Sequence, residues 1–220
     1  MAQDHPQDVR MTGRAPRRAV AAASRTRQPT EVRRRLIAEA AVPLIAERGS
    51  AAVGVRDVAA AAGVSVGTVT YHFESVQEVL SEAMVLHIER YYAALSASAD
   101  QATRAAEGLR LLIDALFTDH TDRHWRMWFD YWHAGDRDEA FARGQATRYE
   151  SWHGEIRALV ERGRDEGDFT CEDPADFAVR FAALADGLAL QRLRRTPPLT
   201  TPDARRHLYR LVEVELERGA

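Results

Sequence analysis

The most chemically suggestive stretch of this 220-residue chain is a run of small polar groups: Ser65, Gly67, Thr68, Thr70, Tyr71 and His72, with Val66 among them. Hydroxyls bond phosphates or base edges, a glycine lets backbone approach phosphate, and Val66 or the Thr68 methyl can touch a thymine methyl. Such a surface suits a DNA major groove. For Tyr71 and His72, packing within a small domain is the competing reading. Phosphate donors stand nearby in Arg33, Arg34, Arg35 and Arg56, and pairing with a carboxylate is the alternative for Arg56. Every one of the 30 basic residues is arginine, whose planar guanidinium suits phosphate.

A second concentration is aromatic. Trp125, Trp128, Phe129 and Trp132 follow an i, i+3, i+4, i+7 pattern on one helical face. Two readings stay open: plain core packing, or a ligand cavity walled by this stripe together with Tyr92, Phe117, Trp152 and Phe181. Aromatic faces attract quaternary ammonium groups, so a cavity of this kind would take a cationic or amphiphilic small molecule.

Other constellations are weaker. His120, His124 and His133, with Asp119 and Asp136, straddle a helix break and lack a recognised ligand spacing, so no metal is expected. Cys171 sits beside acids that raise rather than lower its pKa, and there is no G-x-S-x-G, phosphate loop or H-E-x-x-H. Neither an enzyme nor a cofactor is expected.

These residues need elements to position them. With 45% hydrophobic and 29% charged residues, the composition is that of a globular protein able to bury a core. No apolar run approaches the ~18 residues of a membrane span, and the lone cysteine excludes a disulfide framework. A cytoplasmic location is the expectation. The formal charge of −3 is unevenly spread: residues 1–80 carry eleven Arg against eight acids, +3, leaving −6 for the remainder. Residues 1–28 lack apolar periodicity and read as a disordered basic tail that either follows a polyanion or is simply solvated.

After Thr30 apolar residues recur at spacings of three and four, so the chain reads as all-α, with about nine helices and no sheet. Gly49 closes the first helix and Gly63 the second; Ser75 and Glu78 form a capping box that opens a long helix to about Ser98. Asp173-Pro174 and Thr201-Pro202 mark two further helix starts. Pro43 predicts a kink or local opening in the first helix. Val55, Val58, Ala59 and Ala62 share one face of a short helix that turns at Gly63-Val64 and restarts at Ser65: a helix-turn-helix. The expected organisation is a three-helix DNA-binding domain over 29–75 and a helical ligand-binding and dimerisation domain over 76–220.

The helix from Pro174 to Arg195 carries an apolar face, Phe177, Phe181, Leu184 and Leu188, beside a smooth row, Ala178, Ala182, Ala185 and Ala189. Two faces call for two neighbours, and the small-residue row is the expected homodimer interface, completed by Leu208, Leu211 and Val212 of the last helix. Burial within one chain is the alternative.

Ala46-Glu47-Arg48-Gly49, Arg56-Asp57-Val58-Ala59, Ala62-Gly63-Val64-Ser65, Gly67-Thr68 and Tyr71-His72-Phe73-x-Ser75 together resemble the N-terminal signature of the TetR family of bacterial transcriptional regulators. Trp125-x-x-Trp128-Phe129, a Trp152-centred helix, Gly167-Asp168-Phe169 and Ala185-Asp186-Gly187-Leu188 resemble the choline-regulator-type C-terminal domain of that family. The resemblance implies a homodimeric regulator, most simply a repressor, that reads a double-stranded DNA operator and is released by a small molecule. The family often has Thr at Gly54, Lys at Val66, Tyr at Thr70 and Lys at Val76. Each departure removes a phosphate contact and shifts affinity toward Arg33, Arg34, Arg35, Arg56 and the tail. A helical partner-binding protein with a degenerate helix-turn-helix is the alternative from another class.

Overall fold

The computed structural model describes residues 30–135, 139–195 and 198–216, which contain nine α-helices and no strand. These are α1 (Thr30–Arg48), α2 (Val55–Ala61), α3 (Val66–His72), α4 (Val76–Asp100), α5 (Ala105–Leu116), α6 (Asp122–Gly135), α7 (Glu139–Asp165), α8 (Pro174–Arg194) and α9 (Thr201–Glu215). A single 3-10 turn, Ser50–Ala52, joins α1 to α2. The basic tail and Asp136 lie outside the described residues.

The helix boundaries follow from local chemistry. The Ser65 hydroxyl accepts the Thr68 N–H, Ser75 accepts the Glu78 N–H, Asp173 accepts from Ala175 and Asp176, and Thr200 accepts from Asp203. Each cap satisfies a backbone donor that the first turn leaves without a helical partner. At α4 the reciprocal arm of the box lands one residue early, with Glu78 accepting the N–H of Glu74. Gly63 has φ of 64°, the left-handed conformation that a side chain resists, and so makes the turn of the helix-turn-helix.

Helix α1 runs through Pro43 without a break. A mid-helix proline costs about 3 kcal/mol, but Ile37, Ala38, Ala41 and Ile45 on the same helix are almost wholly buried. Each fully buried isoleucine returns roughly 1.5–3 kcal/mol, so tertiary packing outweighs the local defect.

Helix α4 is the shared spine. It packs on α1, α5 and α6, while α7, α8 and α9 pack in sequence behind them. Buried Val79, Ala83, Met84 and Ile88 continue into Tyr92 and Leu95, giving one unbroken core.

One expectation is corrected here. Ala178, Ala182, Ala185 and Ala189 are at most 2% exposed, and Leu208 and Val212 are buried as well, with Leu211 half-buried. Their neighbours belong to the same chain: α8 packs on α6, α7 and α9. Small side chains let those helices approach closely, so the row serves the internal core and has little left to offer a partner. The outward face of α8 is instead Val179, Ala183 and Leu190; Val179 is 48% exposed, and Val214 of α9 is 62% exposed.

Candidate DNA-reading head and ligand site

The reading head consists of α1, α2 and α3, closed around Val58, Ala59, Val69 and Phe73, all buried. Val69 fills the angle between the short helices more completely than half-buried Val64. With Val69 and Phe73 turned inward, α3 presents Ser65, Val66, Gly67, Thr70 and Tyr71 outward. Tyr71 is 72% exposed and its ring lies edge-on to His72 at 5.0 Å. Nothing in the packing demands a glycine at 67, since an added Cβ would meet only the Ser65 hydroxyl at an ordinary 3.7 Å. Close approach by another molecule is thus what its missing side chain permits.

Not every polar group there is free. Ser65 Oγ is used as the cap and lies 2.9 Å from Thr68 Oγ1, and the Thr70 hydroxyl donates back to the carbonyls of Val66 and Gly67. His72 is half-buried, with a buried Nδ1 that has no partner.

The arginines divide sharply. Arg34 turns into the protein: Nη2 lies 2.7 Å from both Glu78 and Glu82, Nη1 donates to the carbonyl of His72, and the guanidinium stacks 4.2 Å over the Phe73 ring. It thus ties α1 to the end of α3 and the start of α4. The two carboxylates raise its pKa further, and Arg34 in turn holds Glu78 below the usual carboxylate range. Arg35 pairs with Glu39 along α1. Arg33 and the exposed Arg56 form no ion pair with any described residue, and it is Arg48 that pairs with Asp57.

The second site is built around α6. Tyr92 from α4, Trp128 and Trp132 from α6, and Trp152 from α7 do come together as the sequence suggested, and Tyr149 of α7 completes the group. Trp128 is the hub, with ring centroids 5.6 Å from Tyr92, 5.7 Å from Tyr131 and 5.5 Å from Tyr149. Trp132 is 38% exposed and, with half-buried Tyr149, forms the outer edge of the cluster.

Four predicted lining residues lie elsewhere. Phe117 and Trp125 stack on each other at 5.7 Å, with the indole N–H bonded to the Leu116 carbonyl. Phe181 packs against Phe177 in the core, and Phe129 borders a groove beside α1. The stripe splits because α6 buries Met127 and Tyr131 as well, turning its deepest face away from Phe129.

The residue that spacing alone could not single out is Asp186, although it stands in a quoted motif. Its carboxylate accepts a hydrogen bond from the Tyr149 hydroxyl, which itself accepts from Trp132 Nε1 at 3.2 Å. Burial pushes the Asp186 carboxyl up to about 6, even though Tyr149 and the nearby Trp128 indole favour the charged form. The Trp128 N–H is buried without a completed hydrogen bond. A carboxylate among Trp128, Trp132 and Tyr149 combines a negative charge with aromatic faces, the two features that draw an organic cation out of water.

Behind Tyr92 lies a buried imidazole, His124. Tyr91 stacks on it at 3.4 Å, His87 lies 5.5 Å away, and neither ring nitrogen of His124 has a partner. Burial lowers the pKa of both histidines, with His87 adding to the effect on His124. Among the described residues, no group of three or more His, Cys, Asp or Glu side chains that could hold a metal ion is present.

Comparison with known proteins agrees with this layout. Residues 37–83 match the family model described as bacterial regulatory proteins, tetR family, and residues 105–217 match the C-terminal model of BetI-type transcriptional repressors. The transcriptional regulator PksA of Bacillus subtilis is 31% identical over 171 residues, covering 74% of this chain and 80% of that protein. The regulator BetI of Ectopseudomonas mendocina is 26% identical over 201 residues, 86% of this chain and 95% of its own. The structure of a transcriptional regulator from Saccharomonospora viridis in complex with choline superposes with a TM-score of 0.75 at 28% identity, covering 86% of this chain and all of that one. These relatives are regulators rather than enzymes. A helix-turn-helix head on a helical domain with BetI-type sequence, matched over both halves, means that this chain belongs to the TetR family of transcriptional regulators.

Proposed function

We propose that the protein is a homodimeric repressor whose hold on an operator is released by a quaternary ammonium compound bound among Trp128, Trp132, Tyr149 and Asp186. One observation carries this reading: a half-buried carboxylate, bonded to Tyr149, within a group of aromatic rings. The choline complex of the S. viridis relative supports it. A permanent cation cannot lose its charge on desolvation, so it needs a fixed counter-charge, and Asp186 provides one while the rings shed little hydration.

On the DNA side, Val66, Gly67, Thr68, Thr70 and Tyr71 form the reading surface, and Arg33 and Arg56 are the phosphate contacts. Arg34 is reassigned from phosphate contact to clamp. The division between the two halves falls within α4, since Glu78 and Glu82 serve the head while Tyr92 serves the ligand site. A cytoplasmic location follows from a role on DNA; among the described residues no helix is long and apolar enough to cross a membrane. Dimerisation uses the outward stripe Val179, Ala183 and Leu190 with Val214, because half-site reading by one helix-turn-helix needs a symmetric partner. Leu190→Arg should yield monomers by sedimentation with helicity unchanged.

The deciding experiment selects an operator from random duplexes and titrates its complex with choline while recording tryptophan fluorescence. The expected outcome is a fluorescence change accompanied by release of DNA. A panel of quaternary ammonium compounds that changed neither signal would return the cluster to the status of core.

A further inference from the structure

Helix α6 has two working edges. Trp128 and Trp132 stand on one; Asp130, two residues from each and so about 200° round the helix, stands on the other. The Asp130 carboxylate reaches across the chain and accepts the backbone N–H of Ser50 at 2.9 Å. That N–H opens the 3-10 turn leading into α2, and the local sequence offers it no cap: the preceding residue is Gly49, which has no side chain and sits at φ of 79°. The missing cap is therefore supplied from 80 residues away by the ligand domain.

Two surface grooves border this carboxylate. Asp130 borders a groove of about 470 Å³ shared with Ile45, Gly49, Arg126, Phe129 and Leu193. It also borders a second, of about 400 Å³, with Ser50, Gln77, Leu80, Met84 and Ala134. A seam packed to interior density would fix the angle of the head by itself. Here a charge-assisted hydrogen bond stands between two surface grooves, beside the direct packing of α1 on α4 and α6, and such a bond is both directional and roughly twice as strong as a neutral one.

We propose that Asp130 is a positioning residue that sets the angle of the DNA-reading head on α6 through the Ser50 amide. Any displacement of α6 by an occupant of the aromatic site then reaches the head at this point. The second statement rests on the cation reading above; the first does not.

The test uses full-length protein with Asp130→Ala, Asp130→Asn and Ser50→Pro. Asparagine keeps an acceptor oxygen; proline deletes the donor at a helix start that tolerates it, after a glycine whose extended ψ suits a following proline. Two quantities are read: affinity for a selected operator relative to random duplex, and the fold release of that operator by choline. Asp130→Ala and Ser50→Pro should each cut the operator preference at least tenfold while affinity for random DNA stays within threefold. Both should reduce release by choline to a third or less, with choline binding by fluorescence unchanged, and Asp130→Asn, which keeps the acceptor but not its charge, should lie between Asp130→Ala and wild type. Operator preference kept within threefold in both disruptive variants would overturn the assignment. So would parallel loss of operator and random DNA, which marks a head unfolded rather than misplaced. If the wild type ignores choline altogether, the cation reading fails, and the preference ratio alone still judges the pin.

Discussion

The reading head and the aromatic site differ in how they are encoded. The head gathers its base-reading groups from one contiguous stretch, Ser65 to His72, displayed on a helix whose only fully buried member is Val69. The proposed ligand site gathers Tyr92, Trp128, Tyr149 and Asp186 from four helices, each residue largely or partly buried. A surface that reads DNA needs exposure and a rigid support a few residues away. A site that holds a cation needs desolvation, which only walls from several helices can supply. Substitutions in the first should therefore act on DNA alone, and in the second on ligand alone.

The sharpest test of that separation is Asp186→Asn. Loss of the counter-charge should weaken binding of a quaternary ammonium by about 2–4 kcal/mol, roughly 30- to 1,000-fold, as expected for a charge pair near 4 Å in a partly screened site. Operator affinity without ligand should stay unchanged in the same gel-shift series. A comparable loss of DNA binding would show that the two regions are not separable at this residue.

A smaller effect separates structure from recognition within the head. Arg34→Ala removes a guanidinium shared by two carboxylates and stacked on Phe73, and should lower stability by about 1–2 kcal/mol after discounting for its partial exposure. Arg33→Ala should leave the denaturation midpoint in place and instead reduce the salt dependence of DNA binding by about one counterion. Equal shifts in the midpoint would break the distinction.

The gentlest test is pH. The Asp186 carboxyl titrates at about 6, above its ordinary 3.8, so cation affinity should be full at pH 7 and fall through pH 6, reaching about a tenth at pH 5. Stability moves by opposing contributions. A raised carboxyl pKa means that burying the charge costs stability at neutral pH, and this cost is relieved as pH falls through 6. The lowered pKa of His87 and His124 works the other way: below 6.5 the unfolded chain takes up protons that the folded chain refuses, and stability drops. Denaturant melts of Asp186→Asn should lose the first contribution and those of His124→Phe part of the second, while a cation affinity flat from pH 7 to 5 would remove Asp186 from the site.

Much of this molecule was legible in its sequence, for identifiable reasons. Caps, glycine turns and the period of three and four are local, so Ser65, Ser75, Gly49 and Gly63 marked their helix boundaries in advance. The head was equally readable because its motif is contiguous. Where a face meets its neighbour is not a local property. The alanine row of α8 was smooth enough for a partner, but α6, α7 and α9 claimed it, leaving Val179 and Leu190 outside. Arg34 and Arg33 are indistinguishable as letters, and only the fold of α4 against α1 brings Glu78 and Glu82 under one of them. Asp186, Tyr149 and Asp130 likewise acquire their partners by closure over tens of residues: periodicity fixes which side of a helix a residue occupies, and tertiary packing decides what stands opposite it.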